Sequence, residues 1–147
     1  GRMSDDAVLR VQRLRPGARL PERATPGSTG YDLYACPDGE MVIGQEPALV
    51  PTGIALEAPP GYDVQVRPRS GLSSKGVQVT FGTVDSDYRG EVLVTMYVLP
   101  YREPHVVRPG DRIAQLVIGR TAEVAIVEAE ALSDSERGSG GHGSTGS

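Results

Sequence analysis

Short apolar stretches separated by glycine and proline limit the folds open to this chain more than any other feature. They recur at residues 8–11, 31–35, 41–43, 49–51, 54–56, 77–79, 112–118 and 124–127. The chain also contains 19 Gly and 12 Pro, residue types that form the turns between strands. No sustained helical period occurs, and one turn of helix near residues 72–75 is the most that the pattern supports. The sequence therefore predicts an all-β fold, either a sandwich or a barrel.

Two of the predicted strands differ in how many of their faces are buried. Residues 63–67 alternate polar and apolar side chains, which is the period of a strand with one buried face. Residues 92–99 are apolar at nearly every position except Thr95, which is typical of a strand covered on both faces. A second subunit is one candidate for the outer cover.

Length and composition indicate one domain followed by a tail. A chain of 147 residues is long enough for one compact core and too short for two ordinary domains. From Ser133 onward, glycine is interleaved with serine and threonine, so this stretch cannot bury apolar surface by itself. We therefore predict a β domain over residues 3–132 and a mobile, glycine-rich C-terminal arm over residues 133–147.

Charge and cysteine content argue against several classes of protein. Lys and Arg total 15 against 19 Asp and Glu, so no overall positive field draws the chain to nucleic acid or to an anionic membrane. Any anionic ligand would have to be held by local arginines. Cys36 is the single cysteine, which excludes an internal disulfide and makes the cytoplasm the expected location. We find no apolar run of membrane-spanning length and no signal-peptide pattern at the start.

Two turns carry the side chains best suited to chemistry. Residues 67–71 (Arg-Pro-Arg-Ser-Gly) follow a predicted strand and offer guanidinium and backbone N–H groups, which bind polyphosphates. Residues 83–90 (Thr-Val-Asp-Ser-Asp-Tyr-Arg-Gly) place two carboxylates, a phenol and an arginine between two strands. A carboxylate there could serve as a base or a metal partner. Each turn also has a plain structural interpretation, as a solvated turn or as a set of surface caps.

Other patterns are less specific. The tail at residues 137–146 is either a linker or a flap that closes over phosphates. The chain has neither a P-loop motif nor a glycine-rich dinucleotide motif after a strand. His105, His142 and Cys36 lie far apart in the sequence, so they do not make a recognisable zinc site.

Five segments, taken in order, resemble the five motifs of the trimeric dUTPase family. They are residues 30–35 (Gly-Tyr-Asp-Leu-Tyr-Ala), 68–72 (Pro-Arg-Ser-Gly-Leu), 82–90 (Gly-Thr-Val-Asp-Ser-Asp-Tyr-Arg-Gly), 110–115 (Gly-Asp-Arg-Ile-Ala-Gln) and 137–146. The resemblance spans nearly the whole chain. It implies a jelly-roll β-barrel, a homotrimer with active sites shared between subunits, and hydrolysis of dUTP to dUMP and pyrophosphate with Mg²⁺. Such an activity keeps uracil out of DNA and supplies dUMP.

The resemblance also implies a role for each matching residue. Asp85 would orient and deprotonate the water that attacks the α-phosphorus. Tyr88 would pack against the deoxyribose and reject UTP, whose 2′-hydroxyl it would exclude. Asp32 would reach Mg²⁺ through a bound water. The phosphate chain would be held by Arg69, Ser70, Gly71 and Gln115, with Arg137, Ser144 and Thr145 closing over it from another subunit. Uracil would be read by Val79, Thr80 and Phe81 and stacked on His142.

The chain departs from the family pattern at three places. His142 stands where the tail motif usually has Phe. The histidine ring is smaller than that of Phe but can still stack. Phe81 stands where a small residue or Pro is commoner, in a stretch from Ser70 to Asp85 that is slightly short. Lys75 is followed directly by Gly76, so the loop before this hairpin is trimmed.

Two rival functions follow from the same residues. One is a dCTP deaminase-related enzyme of similar fold, against which the Asp-Tyr-Arg-Gly turn at 87–90 argues. The other is a catalytically silent nucleotide-binding partner protein. The presence of Asp85, Arg69, Gln115 and Arg137 argues against that reading, because binding alone does not require all of these groups.

Overall fold

The computed structural model describes residues 7–138, and these residues are almost entirely β structure. Pairing between strands is antiparallel throughout. The elements are β1 (Arg10–Arg13), β2 (Tyr31–Tyr34), β3 (Met41–Ile43), β4 (Ala48–Glu57), β5 (Tyr62–Arg67), α1 (Ser70–Ser73), β6 (Val77–Val79), β7 (Gly82–Val84), β8 (Glu91–Val98), β9 (His105–Val107) and β10 (Arg112–Arg120). The predicted all-β class is confirmed, and the predicted helical turn is α1, two residues earlier than expected.

Two four-stranded sheets enclose the core. Their strand orders are β1-β4-β8-β6 and β2-β10-β5-β7, and β3 pairs with β9 in a separate ribbon. One continuous cluster of buried residues draws on both sheets, including Leu33 and Leu116 from one and Val50 and Met96 from the other. Two antiparallel sheets around a common core form the jelly roll that the resemblance implied.

Strand β4 corrects one expectation from the sequence. Residues 49–51 and 54–56 look like separate strands, but they are parts of one strand with an irregular register between Pro51 and Ala55. Gly53 allows this irregularity, because its φ of 73° is in the left-handed region. A Cβ atom at Gly53 would also lie 2.8 Å from the Cβ of Ala18. The strand therefore bends at Gly53 instead of ending there.

The strand predicted at residues 124–127 is wrong for the described chain. This segment leaves the sheet after β10 and pairs with no strand among the described residues. Its apolar side chains face solvent, with Val124 76%, Ile126 94% and Val127 78% exposed. An extended segment becomes a strand only when a neighbour satisfies its backbone, and the single chain supplies none here.

Strand β8 buries only one face within the single chain. Val92, Val94, Met96 and Val98 point into the core, whereas Leu93 on the other face is 42% exposed. The outer cover expected from the sequence is therefore not provided by the described chain. The three-residue strands β3 and β6 coincide with predicted apolar stretches, whereas β7 and β9 were not predicted.

No helix in the described residues is long and apolar enough to cross a membrane. Cys36 is buried as a free thiol.

Candidate active site

The turn between β7 and β8 places the first group of candidate residues. Asp85 follows β7 directly, and the Tyr88 N–H donates to the Asp85 carbonyl at 3.0 Å, which closes the turn. Both side chains are exposed and line a cleft of about 300 Å³ together with Thr80, Thr83 and Glu91. The structure therefore brings the predicted base and the predicted sugar-packing ring into one cleft.

The ring of Tyr88 has a defined position in this cleft. Its hydroxyl donates to the backbone carbonyl of Glu91 at 2.8 Å. A Cβ atom at Gly90 would lie 2.7 Å from the Cζ of Tyr88, so the ring occupies the space beside the glycine. Gly90 thus makes room for the ring to fold back over its own turn.

A second group of candidates lies where β2, β10 and β5 meet. Gln115 is opposite Asp32 on one side and Arg67 on the other in the strand register. Its side-chain amide donates to the Pro68 carbonyl at 3.0 Å, which ties β10 to the turn that carries Arg69. A side chain at Gly30 would overlap the Gln115 amide. These contacts fix Gln115 beside the turn at residues 67–71, called the arginine turn below.

Asp32 lies between two arginines in this second group. Its carboxylate is 3.4 Å from Arg69 Nε and 3.7 Å from Arg112 Nη1, and its side chain is 14% exposed. Ser70 and Gly71 follow Arg69 in the first turn of α1. The cluster therefore holds one carboxylate and two guanidinium groups, which suits the binding of phosphate oxygens near a cation.

The sequence resemblance implies Mg²⁺, and the described residues could bind this ion only through few protein ligands. The described residues contain no group of three or more His, Cys, Asp or Glu side chains that could hold a metal ion. Mg²⁺ usually keeps several waters and binds to proteins through one or two carboxylates together with substrate phosphates. A single carboxylate at Asp32, beside guanidinium groups for the phosphates, matches that mode.

The three residues expected to contact uracil differ in how accessible their side chains are. Val79 is buried and pairs with Met96, so its side chain belongs to the core. Thr80 lines the Asp85 cleft, while its N–H already donates to Thr95 at 2.9 Å. Phe81 is 57% exposed and stacks under the Arg67 guanidinium, 5.1 Å from the ring centroid. The hairpin is thus held in place, and Thr80 is the one of these three residues that lines the Asp85 cleft.

The two groups lie in different places on one chain. None of Asp32, Arg69 or Gln115 is among the residues that line the Asp85 cleft. A separate polar pocket beside Arg69 is lined by Arg19, Tyr34, His105, Asp111 and Arg112. In it, burial lowers the pKa of His105 and raises the pKa of Tyr34. Among the described residues of one chain, the predicted base therefore does not share a cleft with Asp32, Arg69 or Gln115.

The arm residues are described only in part. Arg137 is exposed, whereas His142, Ser144 and Thr145 lie outside the described residues.

Sequence reasoning missed Arg15, Glu91 and Arg112. Arg112 belongs to a motif that was recognised in the sequence. Its place beside Asp32 depends on the pairing of β10 with β2, in which Arg112 lies opposite Tyr34, and the sequence does not reveal that pairing. Glu91 is a charged residue that opens an apolar strand directly after the Asp85 turn, which was a usable signal. Arg15 gave no such signal, because it contacts Glu91 across a long separation in sequence.

Comparison with known families places the chain. The family model described as dUTPase matches residues 17–146. The chain belongs to the dUTPase family. A deoxyuridine 5′-triphosphate nucleotidohydrolase of Syntrophotalea carbinolica is 48% identical over 145 residues, covering 95% of this chain and 97% of the relative. Another, from an Anaeromyxobacter species, is 49% identical over 142 residues and covers 95% of each chain.

Solved dUTPase structures share the fold. A mutant dUTPase of Staphylococcus bacteriophage 80alpha with dUpNHpp is similar with a TM-score of 0.77 and 29% identity, covering 95% of this chain and 99% of the phage chain. A mutant dUTPase from phage phi11 of S. aureus, in which a structural Mg(II) ion is coordinated, has a TM-score of 0.73 and 25% identity. It covers 84% of this chain and 97% of its own.

Proposed function

We propose that this chain hydrolyses dUTP to dUMP and pyrophosphate. The observation that carries the proposal is the shared cleft of Asp85 and Tyr88, which pairs a solvent-accessible carboxylate with an aromatic ring in a member of the dUTPase family. The relatives named deoxyuridine 5′-triphosphate nucleotidohydrolase support the substrate, and the phage enzyme bound to dUpNHpp supports binding of a nucleoside triphosphate analogue.

Asp85 acts as the general base. Its carboxylate accepts a proton from a water molecule while the water oxygen attacks the α-phosphorus in line with the departing pyrophosphate. The bond to the bridging oxygen breaks, and the pyrophosphate leaves with that oxygen. Exposure of the carboxylate to the cleft gives water direct access to it.

Tyr88 selects the sugar and the arginine turn holds the phosphates. The Tyr88 ring packs against the deoxyribose at the position that a 2′-hydroxyl would occupy. UTP is therefore excluded, because its 2′-hydroxyl would overlap the ring. Arg69, Ser70, Gly71 and Gln115 bind the phosphate chain through charge-assisted and backbone hydrogen bonds. Thr80 and the hairpin at 79–81 contact the base.

Asp32 is the residue that would hold Mg²⁺, in the way expected of an ion that keeps its waters and binds substrate phosphates. The ion, when bound, neutralises charge on the phosphate oxygens. Asp32 in turn keeps Arg69 oriented, because the two side chains form an ion pair within a largely covered cluster. The phi11 enzyme with its structural Mg(II) ion supports a metal in the family.

The active form is a homotrimer with sites shared between subunits. Two observations support this: Asp85 and Arg69 do not line one cleft in the single chain, and the large apolar side chains at residues 124–132 lie exposed. Packing of one subunit's Asp85 cleft against the Arg69 cluster of a neighbour would complete the site. The arm at 133–147 would close over it, bringing Arg137, His142, Ser144 and Thr145 to the substrate and excluding water.

A lone thiol at Cys36 supports a cytoplasmic enzyme.

The test measures pyrophosphate release from dUTP, dTTP, dCTP and UTP, with and without Mg²⁺. We expect the parent protein to split dUTP alone, and only when Mg²⁺ is present. Asp85→Asn should bind dUTP while losing at least about a hundredfold in turnover, the range of general-base catalysis.

Asp87→Asn is the matched control, since Asp87 is an exposed carboxylate of the same turn. It should retain near-parent turnover. Loss of activity in Asp87→Asn with activity retained in Asp85→Asn would refute the assignment of the base. Binding of dUTP without hydrolysis by the parent would favour a silent nucleotide-binding protein, and release of ammonia from dCTP would favour a deaminase.

A further inference from the structure

An ion pair lies behind the Tyr88 turn and links three distant parts of the chain. The Glu91 carboxylate accepts two hydrogen bonds from the Arg15 guanidinium, at 2.6 and 3.2 Å. It also accepts the backbone N–H of Gly53 at 2.8 Å. Arg15 donates in addition to the carbonyl of Cys36 at 3.3 Å. A carboxylate with three donors in such an arrangement is held in one orientation.

The pair is more covered than the two ion pairs that Glu57 forms on the same sheet, with Arg10 and with Arg89. The side chain of Glu91 is 22% exposed and that of Arg15 is 37% exposed. By comparison, Arg10 and Glu57 are 77% and 45% exposed at a separation of 3.7 Å. The hydrogen bonds from Arg15 hold the pKa of Glu91 below its ordinary value, so the carboxylate is ionised at neutral pH. Partial burial and bidentate geometry distinguish this pair from a solvent-screened contact.

Glu91 also determines where the Tyr88 ring lies. The Tyr88 hydroxyl donates to the Glu91 carbonyl, and the ring fills the space beside Gly90. The backbone of residues 90 and 91 is therefore the support of the ring. Because the carboxylate of Glu91 is bonded to Arg15 and to the irregular part of β4 at Gly53, that support cannot shift without breaking these bonds.

We propose that Arg15 and Glu91 are positioning residues for sugar selection. They act through the backbone of residue 91 on the Tyr88 ring and thereby set the gap that admits deoxyribose and excludes ribose. This inference rests on the proposed dUTP hydrolysis and adds to it two residues that lie outside the motifs used above. Arg15 acts only through Glu91.

The test compares selectivity in Arg15→Met and Glu91→Gln with the parent. Met keeps most of the length of the Arg side chain without its charge, and Gln keeps the shape of Glu without its ionisation. Selectivity is the ratio of the inhibition constant of UTP to the KM of dUTP, with kcat recorded separately and the thermal midpoint measured for each protein. Arg108→Met is the matched control, because it removes an arginine from the Arg108–Glu40 ion pair, neither residue of which lines the cleft.

We expect both variants to lose selectivity by about tenfold, which corresponds to the small misplacement of one packing contact. The change should be mainly in KM for dUTP and in UTP inhibition, with kcat less affected. The double variant should be no worse than the worse single one, since the two side chains act as a unit. Arg15→Lys, which keeps the charge but not the fork, should fall between Arg15→Met and the parent.

An unchanged selectivity ratio in both variants, with or without a lower thermal midpoint, would overturn the inference and leave the pair a purely structural contact. Should Arg15→Met fail to fold, Arg15→Lys decides the question: an unchanged ratio refutes the proposal and a reduced one supports it. Failure of the proposed function itself would be seen independently, as absence of dUTP hydrolysis by the parent.

Discussion

Gly90 illustrates how a residue without a side chain can define a specificity contact. Its backbone does not lie in the left-handed region, so chain conformation does not demand glycine there. What demands it is the Tyr88 ring, which occupies the position of the missing Cβ atom. Selection of the sugar by Tyr88 would therefore depend on a neighbour that never touches the nucleotide.

We predict that Gly90→Ala lowers the preference for dUTP over UTP although it replaces none of the proposed functional side chains. The added methyl group must push the ring away from the Glu91 carbonyl, because a Cβ atom at 2.7 Å from the ring is too close. The loss should approach that of Tyr88→Ala, about tenfold or more. Steady-state kinetics with dUTP and inhibition by UTP measure it.

Gly44→Ala is the control for this residue, since nothing lies within 4 Å of its Cβ position. A Gly90→Ala protein with parental selectivity would contradict the steric role given to the glycine.

At the scale of the element, β4 is the strand whose irregularity matters most. Gly53 bends the strand and turns its own N–H toward Glu91. The same bend lets Thr52 donate through its hydroxyl to the Val92 carbonyl at 2.6 Å. The start of β8, and with it the end of the Tyr88 turn, is thus fixed by two bonds that originate at one irregular position.

Gly53→Ala should destabilise the protein by more than the backbone alone explains. A positive φ at a non-glycine residue costs about 1–3 kcal/mol, and here the new Cβ atom would also lie 2.8 Å from Ala18 Cβ. Denaturant unfolding at one fixed protein concentration measures the change. Gly61→Ala is the matched control, because Gly61 has φ 84° with nothing within 4 Å of its Cβ position.

The difference between the two alanine variants isolates the packing overlap from the backbone strain. Equal destabilisation of both would show that Ala18 and Cys36 simply move aside.

Local pattern was sufficient for some elements and insufficient for others. The alternation at residues 63–67 predicts β5 because the pleat alone places successive side chains on opposite faces. The apolar run at residues 124–127 is just as clear, yet it yields no strand in the described chain, since pairing depends on a partner that local sequence does not reveal. The contact of Arg15 with Glu91 and that of Asp32 with Arg69 likewise arise from strand order, not from spacing along the chain.

The motif resemblance predicted more of the candidate site than the periodicity of the sequence did. Asp85 and Tyr88 lie in one cleft because one turn contains both, so their proximity follows from their sequence spacing. The Asp32 and Arg69 cluster required the knowledge that β10 lies between β2 and β5, which no local pattern indicates.

For the whole molecule, the exposed apolar segment after β10 is the most telling surface. Val124, Ile126 and Leu132 are each more than three-quarters exposed, although such side chains usually lie inside folded proteins. Contiguous exposed apolar residues mark an interaction surface. Together with the division of the proposed site between two places, they favour an assembly of identical chains.

Ile126→Asp should therefore weaken the proposed homotrimer and lower activity together. A charge at that position would have to be buried without a partner in the subunit interface, which costs several kcal/mol. Sedimentation analysis over a range of protein concentrations, run beside a dUTP assay, gives both quantities. Ala122→Asp adds the same charge just outside the apolar stretch and should leave the assembly intact.

A stable trimer with full activity in Ile126→Asp would contradict the assignment of residues 124–132 to the interface.

The position of β10 in its sheet also bears on how the chain is made. Because β10 pairs with both β2 and β5, that sheet lacks its central member until residues 112–120 have left the ribosome. Pairings between such distant segments close large loops and slow folding. Asp32, the Arg69 turn and Gln115 consequently come together only after residues 112–120 have been made, and shorter nascent chains lack the proposed phosphate-binding cluster.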